Sequence, residues 1–206
     1  MLPASPAFLA RPVARTVATV AVLVAARGLD ALSTWTATRD LSLETNPLTR
    51  LLHVGWAGLL TVNAAVVAFI GLCAWRAART PPVLPPETGL DRDAFVARYW
   101  FAFAGRRSLG QAVFWLPADR RVRWAFVAGP GTVLVVAASA VAATWNVLVA
   151  RGVVTGRTMG FVGVIGFWSL LSVGVVLSVR GFLLRSYARY LRQGVANDPS
   201  PSSALP

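Results

Sequence analysis

The sequence predicts an all-α fold: a polytopic membrane helix bundle of four transmembrane helices, with an interfacial helix in the cytoplasmic loop. Three observations carry that expectation. The chain of 206 residues is 56% hydrophobic with a mean hydropathy of +0.61, an apolar excess that water-soluble chains of this length rarely reach. The excess is gathered into four continuous runs, each long enough, at about 20 residues or more, to cross a hydrocarbon core of roughly 30 Å as a helix. The arginines are spread unevenly over the segments between those runs. Continuous rather than alternating apolar character selects helices over barrel strands.

The four runs cover residues 16–38, 54–75, 124–150 and 158–184. They divide the chain into an N-terminal tail (1–15), a first hairpin (16–75), a Pro-rich and amphipathic segment (76–123), a second hairpin (124–184) and a basic, then polar tail (185–206). Arginine accumulates in the first tail, in 76–123 and after Arg180, whereas the other two loops hold only Arg39, Arg50, Arg151 and Arg157. An excess of arginine marks the cytoplasmic side. Both termini and the central segment are therefore expected inside a multi-pass protein of the cell membrane. A competing reading takes residues 1–26 as a signal peptide, with Arg11 and Arg15 before the apolar run and Val24-Ala25-Ala26 as its end. Apolar residues continue beyond Gly28, which favours a span.

The net charge of +12 would suit nucleic acid, but the charges flank apolar runs. Anionic lipid headgroups at the cytoplasmic face are the simpler expected partner, and nucleic acid is not expected. Every basic residue is arginine, which excludes amine-nucleophile and Schiff-base chemistry by lysine. The lone Cys73 excludes a disulfide framework or a Cys-rich metal site within one chain.

In the central segment, "RTPPVLPPETG" reads as a stiff, extended spacer. Asp91 or Asp93 is expected to cap a short helix beginning near Ala94. Two aromatic stretches follow, each too short to span, separated by Arg106 and Arg107. An in-plane helix fits them, with Tyr99, Trp100 and Trp115 at headgroup level. Arg98, Arg106, Arg107, Arg120, Arg121 and Arg123 are then candidate headgroup contacts. A bland surface anchor, a lipid or partner site and a re-entrant hairpin are the alternatives.

The first hairpin carries the only acid within a span. Arg27 and Asp30 are three residues apart, so they share a helical face and can pair. Ser33, Thr34 and Thr38 continue that face, and polar side chains at membrane depth face protein or a water-filled cavity. The loop leads to Asn46-Pro47, which reads as a helix start with Asn46 as N-cap and Pro47 at the first helical position. Glu44 sits favourably near the positive helix end. Thr49, His53, Trp56 and Asn63 form a stripe on the second span. Counting inward at 1.5 Å per residue brings Asp30 and Asn63 to similar depth, within about a turn or two, so a contact between them is expected. Arg27, Asp30, Ser33, Thr34, Glu44, Asn46, His53 and Asn63 together form the candidate polar site.

The order Asp30-x-x-Ser33-Thr34, then Glu44-x-Asn46-Pro47 opening a second span, resembles an uncharacterised prokaryotic family of small multi-pass membrane proteins of unknown function. The resemblance covers residues 20–72, about a quarter of the chain. It implies that Asp30, Ser33, Thr34, Glu44, Asn46 and Pro47 belong together, and it brings no activity.

Each of these residues has a bland reading beside a functional one. Arg27–Asp30 is either a packing ion pair or a site for ion, proton or substrate handling. Glu44 to Pro47 is a helix start or a ligand site, and His53 a packed side chain or a metal ligand. Asp30 lies more than a turn from Glu44 and His53 along the expected hairpin, and no compact His-Glu-x-x-His spacing is present. No metal or other cofactor is therefore expected. Small residues in the third and fourth spans, Gly160, Gly163, Gly166 and Gly174 among them, suit close helix packing, and Ser139 and Asn146 suit hydrogen bonds between helices. No nucleophile–base pair, GxSxG, phosphate loop or dinucleotide fingerprint is present. A structural or accessory membrane component is expected first, a small oligomeric ion, proton or solute transporter using Asp30 second, and a lipid-modifying enzyme third. A homo-oligomer or a membrane partner fits the first two.

Overall fold

The structure is a computed structural model that describes residues 6–39, 41, 55–153 and 156–197. Among the described residues six helices follow one another: α1 (Pro6–Ala37), α2 (Trp56–Arg79), α3 (Arg92–Phe101), α4 (Leu109–Ala112), α5 (Arg120–Ala150) and α6 (Gly156–Asn197). There is no strand among the described residues. Among the described residues four segments are long and apolar enough to cross a membrane: Val13–Ala37 of α1, all of α2 and of α5, and Trp168–Gly194 of α6.

Within the bundle, α1 packs against both α5 and α2. The α1–α2 pair is antiparallel and its register can be read from three contacts. Trp35 meets Trp56 edge-on at 5.1 Å, Arg27 hydrogen-bonds Asn63, and Val20 lies against Gly71. A Cβ added to Gly71 would stand 2.9 Å from Val20 Cγ2, so glycine is what lets the two backbones approach. Gly174 serves the α5–α6 approach in the same way, since a Cβ there would meet Leu134 Cδ2 at 3.0 Å, whereas Gly166 faces open space. Rows of apolar side chains stay exposed, including Val17, Val24 and Leu32 on α1, Leu60 and Phe69 on α2, and Leu170, Val173 and Leu177 on α6. Such rows suit acyl chains as the surrounding solvent.

α5 is irregular. It is α-helical over Arg120–Phe126, makes one π-turn over Val127–Gly131, and is α-helical again over Thr132–Ala150. Pro130 causes this, because it has no N–H to donate and its ring crowds the carbonyl one turn back. Thr132 Oγ1 donates to Ala128 O at 2.6 Å, which partners one of the carbonyls near the disturbed turn.

The Arg-rich end of the bundle carries a cap. α6 runs for 42 residues, about 63 Å at 1.5 Å per residue, roughly twice the thickness of a hydrocarbon core. The basic amphipathic stretch after Leu184 thus continues as helix. Val179, Phe182, Leu183, Ser186 and Tyr190 fall on one face of it and are buried. Against this stripe pack Phe95, Val96, Tyr99 and Trp100 of α3, Ala112 of α4 and Val122 of α5.

Tyr99 and Trp100 are therefore covered by protein rather than facing outward. They lie inside a protein core, where Phe95 stacks on Tyr99 at 5.1 Å and Trp100 meets Phe126 edge-on at 5.2 Å. The physical reason is that an apolar helix face looks the same in sequence whether lipid or protein covers it. Asp91 is the residue that caps α3, accepting from Ala94 N at 2.9 Å. The Pro-rich spacer has no regular secondary structure and is strapped down: Tyr190 Oη donates to Glu87 O at 2.7 Å and accepts from Leu90 N at 2.8 Å, while Tyr187 Oη donates to Leu90 O at 3.3 Å.

Candidate functional site: a polar seam between three helices

The seam is built from α1, where the sequence alternates small apolar residues with a polar row at helical spacing. Its centre is the Arg27 guanidinium. Nη1 lies 2.9 Å from Asp30 Oδ2 one turn along α1 and donates to Ser139 Oγ of α5 at 3.2 Å; Nε donates to Asn63 Oδ1 of α2 at 3.1 Å, and Nη2 donates to the same oxygen. One side chain thus joins three helices. Asn63 and Ser139 are buried, and Arg27 and Asp30 keep only 20% and 14% of their side-chain surface exposed. A charge at membrane depth is costly unless it is paired and its remaining donors are taken up. Here a carboxylate, an amide and a hydroxyl divide that task.

A second tier follows two helical turns further on. Asn146 Nδ2 of α5 donates to Thr34 Oγ1 at 2.9 Å and to Ser33 Oγ at 3.1 Å, and Ser33 Oγ donates to Asp30 O at 2.7 Å. Thr34 is buried. α1 and α5 run parallel, so Arg27 pairs with Ser139 and Thr34 with Asn146, seven residues on along both chains. An equal step of seven keeps two helices in register along one seam.

The structure thus brings together Arg27, Asp30, Ser33, Thr34 and Asn63. Asp30 and Asn63 are joined through Arg27, which stands between them. Glu44, Asn46, Pro47 and His53 lie outside the described residues. Ser139 and Asn146 belong to the seam, although their sequence context offers no chemistry; their spacing of seven, equal to that of Arg27 and Thr34, is the signal that finds them. The described residues hold no group of three His, Cys, Asp or Glu side chains placed to ligate one metal ion. Beside the seam, a wholly apolar groove of ≈ 500 Å³ runs between α2 and the π-turn of α5, lined by Val62, Val66, Phe69, Gly131 and Leu134 among others.

The cap arginines divide into two kinds. Arg98 pairs with Glu87 at 3.2 Å and Arg106 with Asp91 at 2.7 Å. Arg123 turns back to donate to Pro117 O at 3.0 and 3.2 Å. Arg107, Arg120 and Arg121 are exposed and have no acidic partner among the described residues. In the cap core, burial pushes the Tyr99 phenol above its ordinary pKa, with the nearby Ser186 hydroxyl and Arg189 guanidinium opposing and Asp119 adding to the rise.

No family model matches the chain, and neither a curated protein nor a solved structure was found to be similar to it.

Proposed function

We propose that this chain is a structural or accessory component of the cell membrane, with both termini and the cap on the cytoplasmic side, and that the Arg27 seam locks its spans together. The observation that carries this reading is the engagement of a single guanidinium with acceptors on three helices. A site that handles a passing ion or solute needs polar groups with free valence facing a wet path. Here the donors of Arg27 and Asn146 are directed at partners within the bundle, and the groove beside them is apolar.

The test combines flux and folding. Reconstituted protein is expected to carry no proton or ion flux above that of protein-free vesicles, and Asp30→Asn is expected to lower the amount of folded protein. Flux in the wild type that Asp30→Asn abolishes without loss of folded protein would replace this reading by a small oligomeric transporter. The partial exposure of Asp30 is the one observation favouring that second reading.

A further inference from the structure

We propose that the cap binds an anionic phospholipid, with the lipid phosphate on Arg107 and the turn Phe114-Trp115-Leu116 seated among the acyl chains. The inference rests on the membrane reading above and specifies where the cap meets the bilayer.

Position comes first. Only Pro117, Ala118 and Asp119 separate Leu116 from the start of α5, a helix long and apolar enough to span. The apolar run of α5 begins at Trp124, just after Arg120, Arg121 and Arg123, so the turn lies beside the basic end of the span, where a helix of that length meets headgroups. Exposure is the second observation. Phe114 is 84% exposed, and Trp115 and Leu116 are each 66% exposed, whereas Phe95 and Trp100 of the same cap are buried. Three consecutive large apolar side chains facing outward mark a docking surface, and here the neighbouring phase is lipid. The turn is held in place: Trp100 Nε1 donates to Trp115 O at 2.8 Å, and Ala118 N donates to Trp100 O at 2.8 Å. Its outward aim is therefore set by the cap core.

The charge is beside it. Phe101, Arg107, Gln111 and Trp115 line a pocket of ≈ 280 Å³. Arg107 is positioned there by its backbone N–H, which donates to Asp93 O at 3.1 Å, and by the Phe103 ring, whose centroid lies 5.6 Å from its guanidinium carbon. Unlike Arg98 and Arg106, it has no carboxylate partner among the described residues. A guanidinium offers paired donors that match a phosphodiester. Trp115 is both a wall of this pocket and part of the apolar turn, so one amphipathic molecule satisfies both halves, as a free phosphate would not.

The test uses the full chain with Cys73→Ala and Leu116→Cys, labelled with a polarity-sensitive fluorophore, in nanodiscs of phosphatidylcholine with and without phosphatidylglycerol. The probe is expected to report an apolar site and to be quenched by brominated acyl chains. Native mass spectrometry is expected to show retained phosphatidylglycerol, reduced about tenfold by Arg107→Gln, the loss of one charge-assisted contact, and unchanged by Arg106→Gln. A water-exposed probe overturns the proposal, as does equal retention of the two lipids or an equal loss in both arginine variants. Displacement by millimolar inorganic phosphate would make the site one for free phosphate. Release of the whole protein by alkaline carbonate would sink the membrane reading itself, an outcome distinct from a membrane-embedded protein whose probe stays wet.

Discussion

Arg27 brings a permanent charge into the middle of α1, and what keeps it there is the set of acceptors it meets. Removing one partner leaves the other charge uncompensated, which in buried pairs costs about 3–5 kcal/mol. Asp30→Asn is accordingly expected to lower the thermal midpoint and the folded yield in detergent. Arg27→Met combined with Asp30→Leu is expected to fold better than either single variant, because the pair then leaves no charge behind; a double variant no better than the singles would show that Asp30 holds the bundle through other contacts. Tyr99 makes a pH-dependent contribution of opposite sign to that of a paired acid. Its folded-state pKa is raised above the ordinary value of about 10 by burial, so the folded state resists ionisation that the unfolded state accepts. Stability is full below pH 10 and falls as pH rises through and above it. The chain has no lysine to titrate in that window, and Tyr99→Phe is expected to flatten the alkaline limb of the stability profile.

At the scale of elements, the α1–α2 hairpin depends on a backbone approach at Gly71. Gly71→Val is expected to destabilise by about 1–3 kcal/mol through overpacking against Val20, with part of that loss restored by adding Val20→Ala; thermal denaturation of the four members of the cycle measures the coupling. Much of this hairpin was legible from residues alone. Arg27 and Asp30 at a spacing of three had to share a face, and counting depth brought Asn63 to within about a turn or two of Asp30. The bridging role of Arg27 was less visible, because side-chain reach, about a helical turn for arginine, blurs which of two neighbours makes the contact. Ser139 and Asn146 read in sequence only as hydrogen-bonding residues, since the parallel register of α1 and α5 is what aligns them with Arg27 and Thr34. The π-turn at Pro130 follows from proline chemistry, yet whether a helix bends, breaks or widens at proline depends on what surrounds it.

At the scale of the molecule, α6 and the cap form one unit. The fourth span is part of a longer helix, and residues in the C-terminal half of that helix, Val179 to Tyr190, organise the aromatic core. Trp100→Ala is expected to cost about 3–5 kcal/mol and to open the cap to proteolysis in detergent. Trp115→Ala is expected to stay within about 0.5 kcal/mol of the wild type under the same conditions, since its ring packs on no core there. Similar losses for both would place Trp115 inside the fold.

The sequence by itself determined that the chain is helical, that it has four stretches long and apolar enough to cross a membrane, and that Arg27, Asp30, Ser33 and Thr34 share one face. Those properties depend on continuous hydropathy and on the 3.6-residue period, which are local. Tertiary structure alone decided that Tyr99 and Trp100 meet protein while Trp115 meets the outside, that Tyr187 and Tyr190 strap the Pro-rich spacer, and that Asn63, Ser139 and Asn146 complete one seam. An apolar or polar face carries no mark of its partner, and the partner is chosen only when distant helices pack in register.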